Sequence, residues 1–200
     1  MGSESIQPLS SLGPADPKKA REEAIKNDPA KRDYVEGREL LKQRQYSEAG
    51  MAFHNALKGF EEQGDEAGIA NACDRLGDVC FAREDYENAL AHYQRAYELC
   101  DKEQDSFSTL ALNKKLAEVY KGLGELNKSL EVYFDMIEYY QITKNPKGTV
   151  DTLLLVANVY LIQGERERAA DAYRTISSIH KNFKHSRKAA YYAAEADKLS

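Results

Sequence analysis

The sequence predicts an all-α protein built from repeated helix pairs. The signs are self-similarity at a shift of 40 residues, a hydrophobic period near 3.6 within each segment, and turn-forming residues at the segment boundaries. In the 40-residue register Gly37, Gly77, Ala117 and Ala157 coincide. Twelve positions later come Ala49, Ala89, Ser129 and Ala169, and four beyond those Phe53, Tyr93, Tyr133 and Tyr173. A further line, three residues after the first, holds Leu40, Cys80, Tyr120 and Tyr160. A small residue lets the first helix of a pair approach the second closely, and the aromatic fills the adjoining space.

Along the chain, residues 1–16 mix Ser, Pro and Gly without periodicity and read as a flexible tail. Asp16-Pro17 offers an N-cap and first helical position, so residues 17–29 form a short polar helix or linker. The repeats follow as units near 30–64, 65–104, 105–144 and 145–184, with a cap at 185–200. The second unit shows the pattern most clearly. Apolar or small residues stand at 69, 70, 73, 76, 77 and 80, a break falls at Glu84-Asp85, and a second amphipathic stretch runs from Tyr86 to about Lys102. Gly64-Asp65, Gln104-Asp105 and Lys144-Asn145 mark the turns between units. Gly64 suits a left-handed position, and Asp65, Asp105 and Asn145 are good N-caps. Gly124 and Gly164 mark the turns inside units three and four. The segment Ser186 to Leu199 continues the register with Ala190, Ala193 and Ala196 and reads as half a unit serving as a solvating cap.

Composition narrows the function. The 200 residues are 42% hydrophobic and 30% charged with a net charge of −5, which suits a soluble chain with a real core. Thirty-three acids against 28 bases leave no basic excess, so nucleic acid is not expected as a partner. No run approaches the roughly 18 apolar residues that span a bilayer, and no signal-peptide core opens the chain, so a cytoplasmic location without membrane contact is expected. Three cysteines are too few for a disulfide scaffold.

No phosphate-binding loop, HExxH, CxxC or nucleophile elbow is present, so neither enzyme activity nor a cofactor or metal is expected. Cys73 and Cys80 share a helix face at core positions, where free cysteine behaves as a small hydrophobe. His54, His92, His180 and His185 form no ligand set in the sequence. Of the 13 tyrosines, Tyr93, Tyr133, Tyr173, Tyr120, Tyr160, Tyr46 and Tyr86 fall on shared repeat positions and read as interhelical packing, as do Tyr139-Tyr140 and Tyr191-Tyr192.

The run Leu76-Gly77-x2-Cys80, then Tyr86-x2-Ala89-x3-Tyr93-x2-Ala96, resembles the tetratricopeptide repeat over residues 31–200. The family's usual period is about 34. The longer register here, with Leu76-Gly77-Asp78, is similar to the 40-residue subclass of the Leu-Gly-Asn repeat scaffold proteins. The proline that usually ends the second helix is missing, and Met136 and Ile176 replace its last alanine in units three and four. The resemblance implies a right-handed α-solenoid of four such helix pairs plus a C-terminal capping helix. It also implies a non-catalytic scaffold that binds a protein or peptide segment on the concave face, which the first helices line.

Carried over by position, that face holds Arg38 in unit one, Arg75 and Asp78 in unit two, Lys114, Lys115 and Lys121 in unit three, and Asn158 in unit four. The bases among them form a strip that favours an acidic segment or a C-terminal carboxylate, amid Asp74, Glu118 and Asp151. Arg38, Tyr34 and Ala111 depart from the family's carboxylate clamp, which argues against a chaperone-tail co-adaptor. The alternative is a structural module, a monomer or weak homo-oligomer, that self-associates through its ends or convex face with Tyr191 and Tyr192 as contacts.

Overall fold

The computed structural model describes residues 25–199, and every described element is helical or a turn. The tail at 1–16 and the expected helix start at Asp16-Pro17 lie outside the described residues. The chain divides into two compact units at the Asp65–Glu66 junction.

The first unit contains α1 (Pro29–Lys42) and α2 (Tyr46–Gln63), packed as a hairpin. Asp28 caps α1 by accepting from the Lys31 backbone N–H at 3.3 Å, with Pro29 at the first helical position. Asp28 also accepts from Gln63 Nε2 at 3.1 Å, tying the start of α1 to the end of α2. The bonds from Lys31 and then Gln63 hold the Asp28 carboxyl down to about 2. Inside the hairpin, Phe53 lies under Gly37, and a Cβ at Gly37 would sit 2.8 Å from the ring. Tyr34 packs on Phe53 and Phe60 with ring centroids 5.7 and 6.3 Å apart.

The second unit contains α3 (Glu66–Ala82), α4 (Tyr86–Lys102), α5 (Ser106–Gly122), α6 (Leu126–Ile142), α7 (Pro146–Gln163), α8 (Arg166–Asn182) and α9 (Ser186–Asp197). Each helix packs on the next in chain order. The small residues Ala89, Ser129 and Ala169 are fully buried, as are Ala117 and Ala157. Tyr93 and Tyr133 are buried, and the Tyr93 ring lies where a Gly77 Cβ would project. Met136 and Ile176, which replace the expected last alanine, are buried too and join a core with Leu130, Val150, Val156 and Val159. The bulkier side chains fill the space between consecutive hairpins that alanine would leave.

The turns recur with a spacing of 20 residues. Positions 44, 64, 84, 104, 124, 144, 164 and 184 all have positive φ, between 52° and 78°. At each, the next residue's N–H bonds back five residues, as in Asp85 to Cys80 (2.9 Å), Asp105 to Cys100 (2.9 Å) and Asn145 to Tyr140 (2.8 Å). This is the Schellman closure, which satisfies carbonyls left open at the helix end. Asp85, Asp105 and Asn145 then cap the following helices with their side chains. Three of the left-handed positions are glycine; the other five are Arg44, Glu84, Gln104, Lys144 and Lys184.

α9 differs in detail from expectation. Ala196 and Ala189 are its buried residues, while Ala190 is exposed and Ala193 half-buried. Tyr192 docks it, stacked on Tyr173 at 6.2 Å and on His180 at 5.6 Å. The tyrosine pairs are therefore split: Tyr140 and Tyr192 pack, whereas Tyr139 and Tyr191 are exposed at 39% and 58%. Arg166 Nη2, on the first residue of α8, donates to the Lys198 carbonyl at 3.1 Å.

The turns and the α8–α9 contact each carry a stability prediction. A side chain in the left-handed region costs on the order of 1 kcal/mol, which glycine avoids. The greater entropy of glycine in the unfolded chain offsets part of that gain. Gln104→Gly should therefore stabilise the protein by about 0.5–1 kcal/mol in urea unfolding. The imidazole of His180 is pushed below its usual value of 6.5 by burial, by Lys188 and by the neighbouring His185. The unfolded chain then binds the extra proton first, so stability falls as pH drops below about 6.5 and levels off once the folded-state His180 also protonates. The melting temperature should be lower at pH 5.5 than at pH 7.5, and His180→Gln should reduce that difference.

Candidate protein-interaction site

On the first-helix face of the second unit, α3 and α5 run beside each other and the end of α4 closes the space between them. The result is a recess of about 470 Å³. Asn71, Asp74 and Arg75 of α3 form one wall, Ala111 and Lys115 of α5 another, and Leu99 and Cys100 of α4 the floor. Phe107, in the first turn of α5, stands at the rim and is 85% exposed, the most exposed bulky apolar side chain among the described residues. Its register mates Ala67 and Lys147 are not aromatic, so repeat packing does not require a ring at this position.

Four charges organise the wall. Arg75 Nη2 and Nη1 donate to Asp74 and Asp78, each at 2.6 Å. Lys115 Nζ reaches across from α5 to the same two carboxylates, at 2.5 and 2.7 Å. The Tyr93 hydroxyl donates to Asp78 Oδ1 at 2.8 Å, and Lys115 Nζ sits 5.3 Å from the centre of the Tyr93 ring. Burial first, then the Asp78 charge, pushes the Tyr93 phenol far up, so it stays a donor. Asp78 and Tyr93 have a counterpart 40 residues on, where the Tyr133 hydroxyl donates to Glu118 at 2.5 Å. Glu118 in turn holds Lys121 at 2.5 Å.

The seven residues expected to bind a partner thus fall into groups. Arg75, Asp78 and Lys115 form one network, and Lys121 belongs to the Glu118 pair. Lys114 and Asn158 are exposed on α5 and α7, and Arg38 is exposed on α1 in the first unit. The network is formally neutral, two carboxylates against two cations. Its bases are half-buried and matched, not a bare basic strip. Two features were not expected from the sequence: the rim aromatic Phe107, and the tyrosine–carboxylate pairs. The second was present in the register, because Asp78 and Glu118 align just as Tyr93 and Tyr133 do.

Burial raises the Cys80 and Cys100 thiols, which keeps them protonated and weakly nucleophilic. Among the described residues no group of three or more His, Cys, Asp or Glu side chains is placed to hold a metal ion. None of the described helices is long and apolar enough to cross a membrane.

Partly exposed ion pairs contribute little singly, but four groups in which two cations share two carboxylates form a network across α3 and α5. Lys115→Ala should destabilise the protein by about 1 kcal/mol in urea unfolding, and by less at high salt.

Compared with known proteins, residues 17–194 match the family model described as SNAP, soluble NSF attachment protein. No curated protein sequence matches the chain. The fold is that of tetratricopeptide-type helical repeats. The apo form of RapI superposes with a TM-score of 0.72 at 14% identity, covering 90% of this chain and 53% of that one. A structure of nearly identical TPR-like repeats from a kinesin light chain of Podosopora anserina gives 0.69 at 14% identity, covering 86% and 87%. A Rap conjugation gene regulator in complex with a Phr peptide gives 0.62 at 10% identity, covering 97% and 59%. The present chain spans a little over half the length of the Rap proteins it matches.

Proposed function

The chain belongs to the soluble NSF attachment protein family, and we propose that it is a protein-interaction scaffold that holds a peptide segment of its partner in the α3–α5 recess. The observation that carries this reading is Phe107, 85% exposed at the mouth of a walled recess. An apolar side chain of the segment enters beside Leu99 and Phe107. Lys114, exposed on α5, meets an acidic side chain. Arg75 and Lys115 remain on Asp74 and Asp78 and keep the wall rigid, so little side-chain entropy is lost on binding. Support for a protein partner comes from the family's own description as an attachment protein, and for a peptide segment from the Rap regulator of the same fold in complex with a Phr peptide.

Such an interface concentrates its affinity in a few desolvated anchors. Phe107→Glu and Lys114→Glu should each weaken binding of a partner captured by pull-down about tenfold or more, with helix content by circular dichroism unchanged, because both side chains are exposed. Unaltered titration curves for both variants would exclude the recess as the binding site.

A further inference from the structure

The edge of the second unit that carries the turns between hairpins changes sign along the chain. The turn after α4 reads Glu-Gln-Asp-Ser at 103–106. The equivalent turns after α6 and α8 read Thr-Lys-Asn-Pro-Lys at 143–147 and Phe-Lys-His-Ser-Arg-Lys at 183–188. Lys144, Lys147, Lys181, Lys184, Arg187 and Lys188 are all exposed, and none forms an ion pair with another described residue. Elsewhere in the unit Lys102, Lys115, Lys121, Lys128 and Lys198 each hold a carboxylate. The local composition accounts for the difference, since neither 139–150 nor 172–194 contains Asp or Glu. The flanking acids are Glu138, Asp151, Asp171 and Glu195; Asp171 is held by Arg174 and Glu195 by Lys198.

This basic corner borders a groove. The ends of α6 and α8 and the start of α7 enclose about 440 Å³, lined by Ile137, Tyr140, Pro146, Leu153, Ile179 and Phe183. Phe183 is 54% exposed and Lys144 is itself part of the lining. The groove is thus mainly apolar inside, with one cation, Lys144, in its lining and Lys184 next in the chain to Phe183. It lies against the second helices α6 and α8, whereas the α3–α5 recess lies between first helices.

We propose that this corner is a second docking site, for an acidic amphipathic peptide segment of a partner protein. One bulky apolar side chain enters the groove against Ile179 and Phe183. Asp or Glu residues on either side of it meet Lys144 of the lining and Lys184, next in the chain to Phe183, whose charges the described residues leave unmatched. A peptide fits better than an anionic membrane because the apolar surface is recessed between helices. The amide side chains of Gln141 and Asn182 in the lining also suit polar side chains of the segment.

The test uses the full chain and a fluorescein-labelled synthetic helix of about 14 residues, Glu-rich with Leu and Phe on one face. Fluorescence anisotropy should give saturable binding below about 100 µM that weakens at about 0.5 M salt. Lys144→Glu with Lys184→Glu, and separately Phe183→Ser, should each weaken it about tenfold or more at unchanged helix content. Four results would overturn the proposal: no binding at about 100 µM, equal binding of a Glu–Ser peptide of the same charge, retained binding by the corner variants, or preferential binding to phosphatidylserine vesicles. Loss of binding on Phe107→Glu with the corner variants unaffected would move the peptide to the α3–α5 recess instead. That outcome overturns the corner site while leaving the proposed scaffold function standing.

Discussion

The close contact between a small residue on the first helix of a hairpin and a ring on the second governs the rest of the structure. At Gly77 the Tyr93 ring occupies the space a Cβ would need, and Gly37 and Phe53 repeat the arrangement in the first unit. Because the ring enters between the helices, its outer edge reaches the residue that follows the small position on the first helix. A tyrosine then delivers a hydroxyl there, which must find an acceptor once it is buried. Asp78 and Glu118, each one residue after the small position, accept from Tyr93 and Tyr133. Where the ring is Phe53 there is no hydroxyl, and the equivalent position carries Arg38. In the hairpins of Tyr93 and Tyr133 a packing choice inside thereby meets a charge on the surface, whereas the hairpin of Tyr173 carries Asn158 at that position.

The second constraint is the turn. A left-handed residue every 20 positions, closed by the same back-bond each time, sets helices of 17 or 18 residues in the second unit's full hairpins. Five of these positions tolerate a non-glycine residue because the Schellman hydrogen bonds oppose the local strain, helped after Glu84, Gln104 and Lys144 by a side-chain cap on the next residue. The longer helices also account for the 40-residue period, about 1.7 turns more per pair than the usual 34-residue repeat.

Charge is then distributed in two ways. Between α3 and α5, Arg75 and Lys115 are matched by Asp74 and Asp78, so the wall is rigid and formally neutral. At the turns after α6 and α8, Lys144 lines an apolar groove, and it and five other exposed cations in or near those turns have no carboxylate partner among the described residues. A surface whose charges are already satisfied offers shape and an apolar anchor. A surface whose charges are unsatisfied offers long-range attraction to an opposite partner.

How much of this was legible in the residues follows from the range of each interaction. The all-α class, the repeat, and the roles of Gly77, Ala89 and Tyr93 could be read directly, because helix periodicity and small–aromatic pairing recur at fixed separations in the chain. The caps at Asp105 and Asn145 were legible for the same reason, since a cap acts three residues away. The residues show a basic strip amid acids but not which of them pair, because the sequence orders residues along one helix only. Lys115 meets Asp74 and Asp78 across 41 and 37 residues, and the side-chain reach that joins them exists only once α3 and α5 lie side by side. The same holds for the recess under Phe107 and for the groove beside Phe183, which are spaces between helices and belong to no single segment. Helices, turns and inward faces were therefore set by interactions local enough to be written in the order of residues. Which surface charges are matched and which stay open was settled by packing, because ion pairing depends on distances of a few ångströms between elements far apart in the chain.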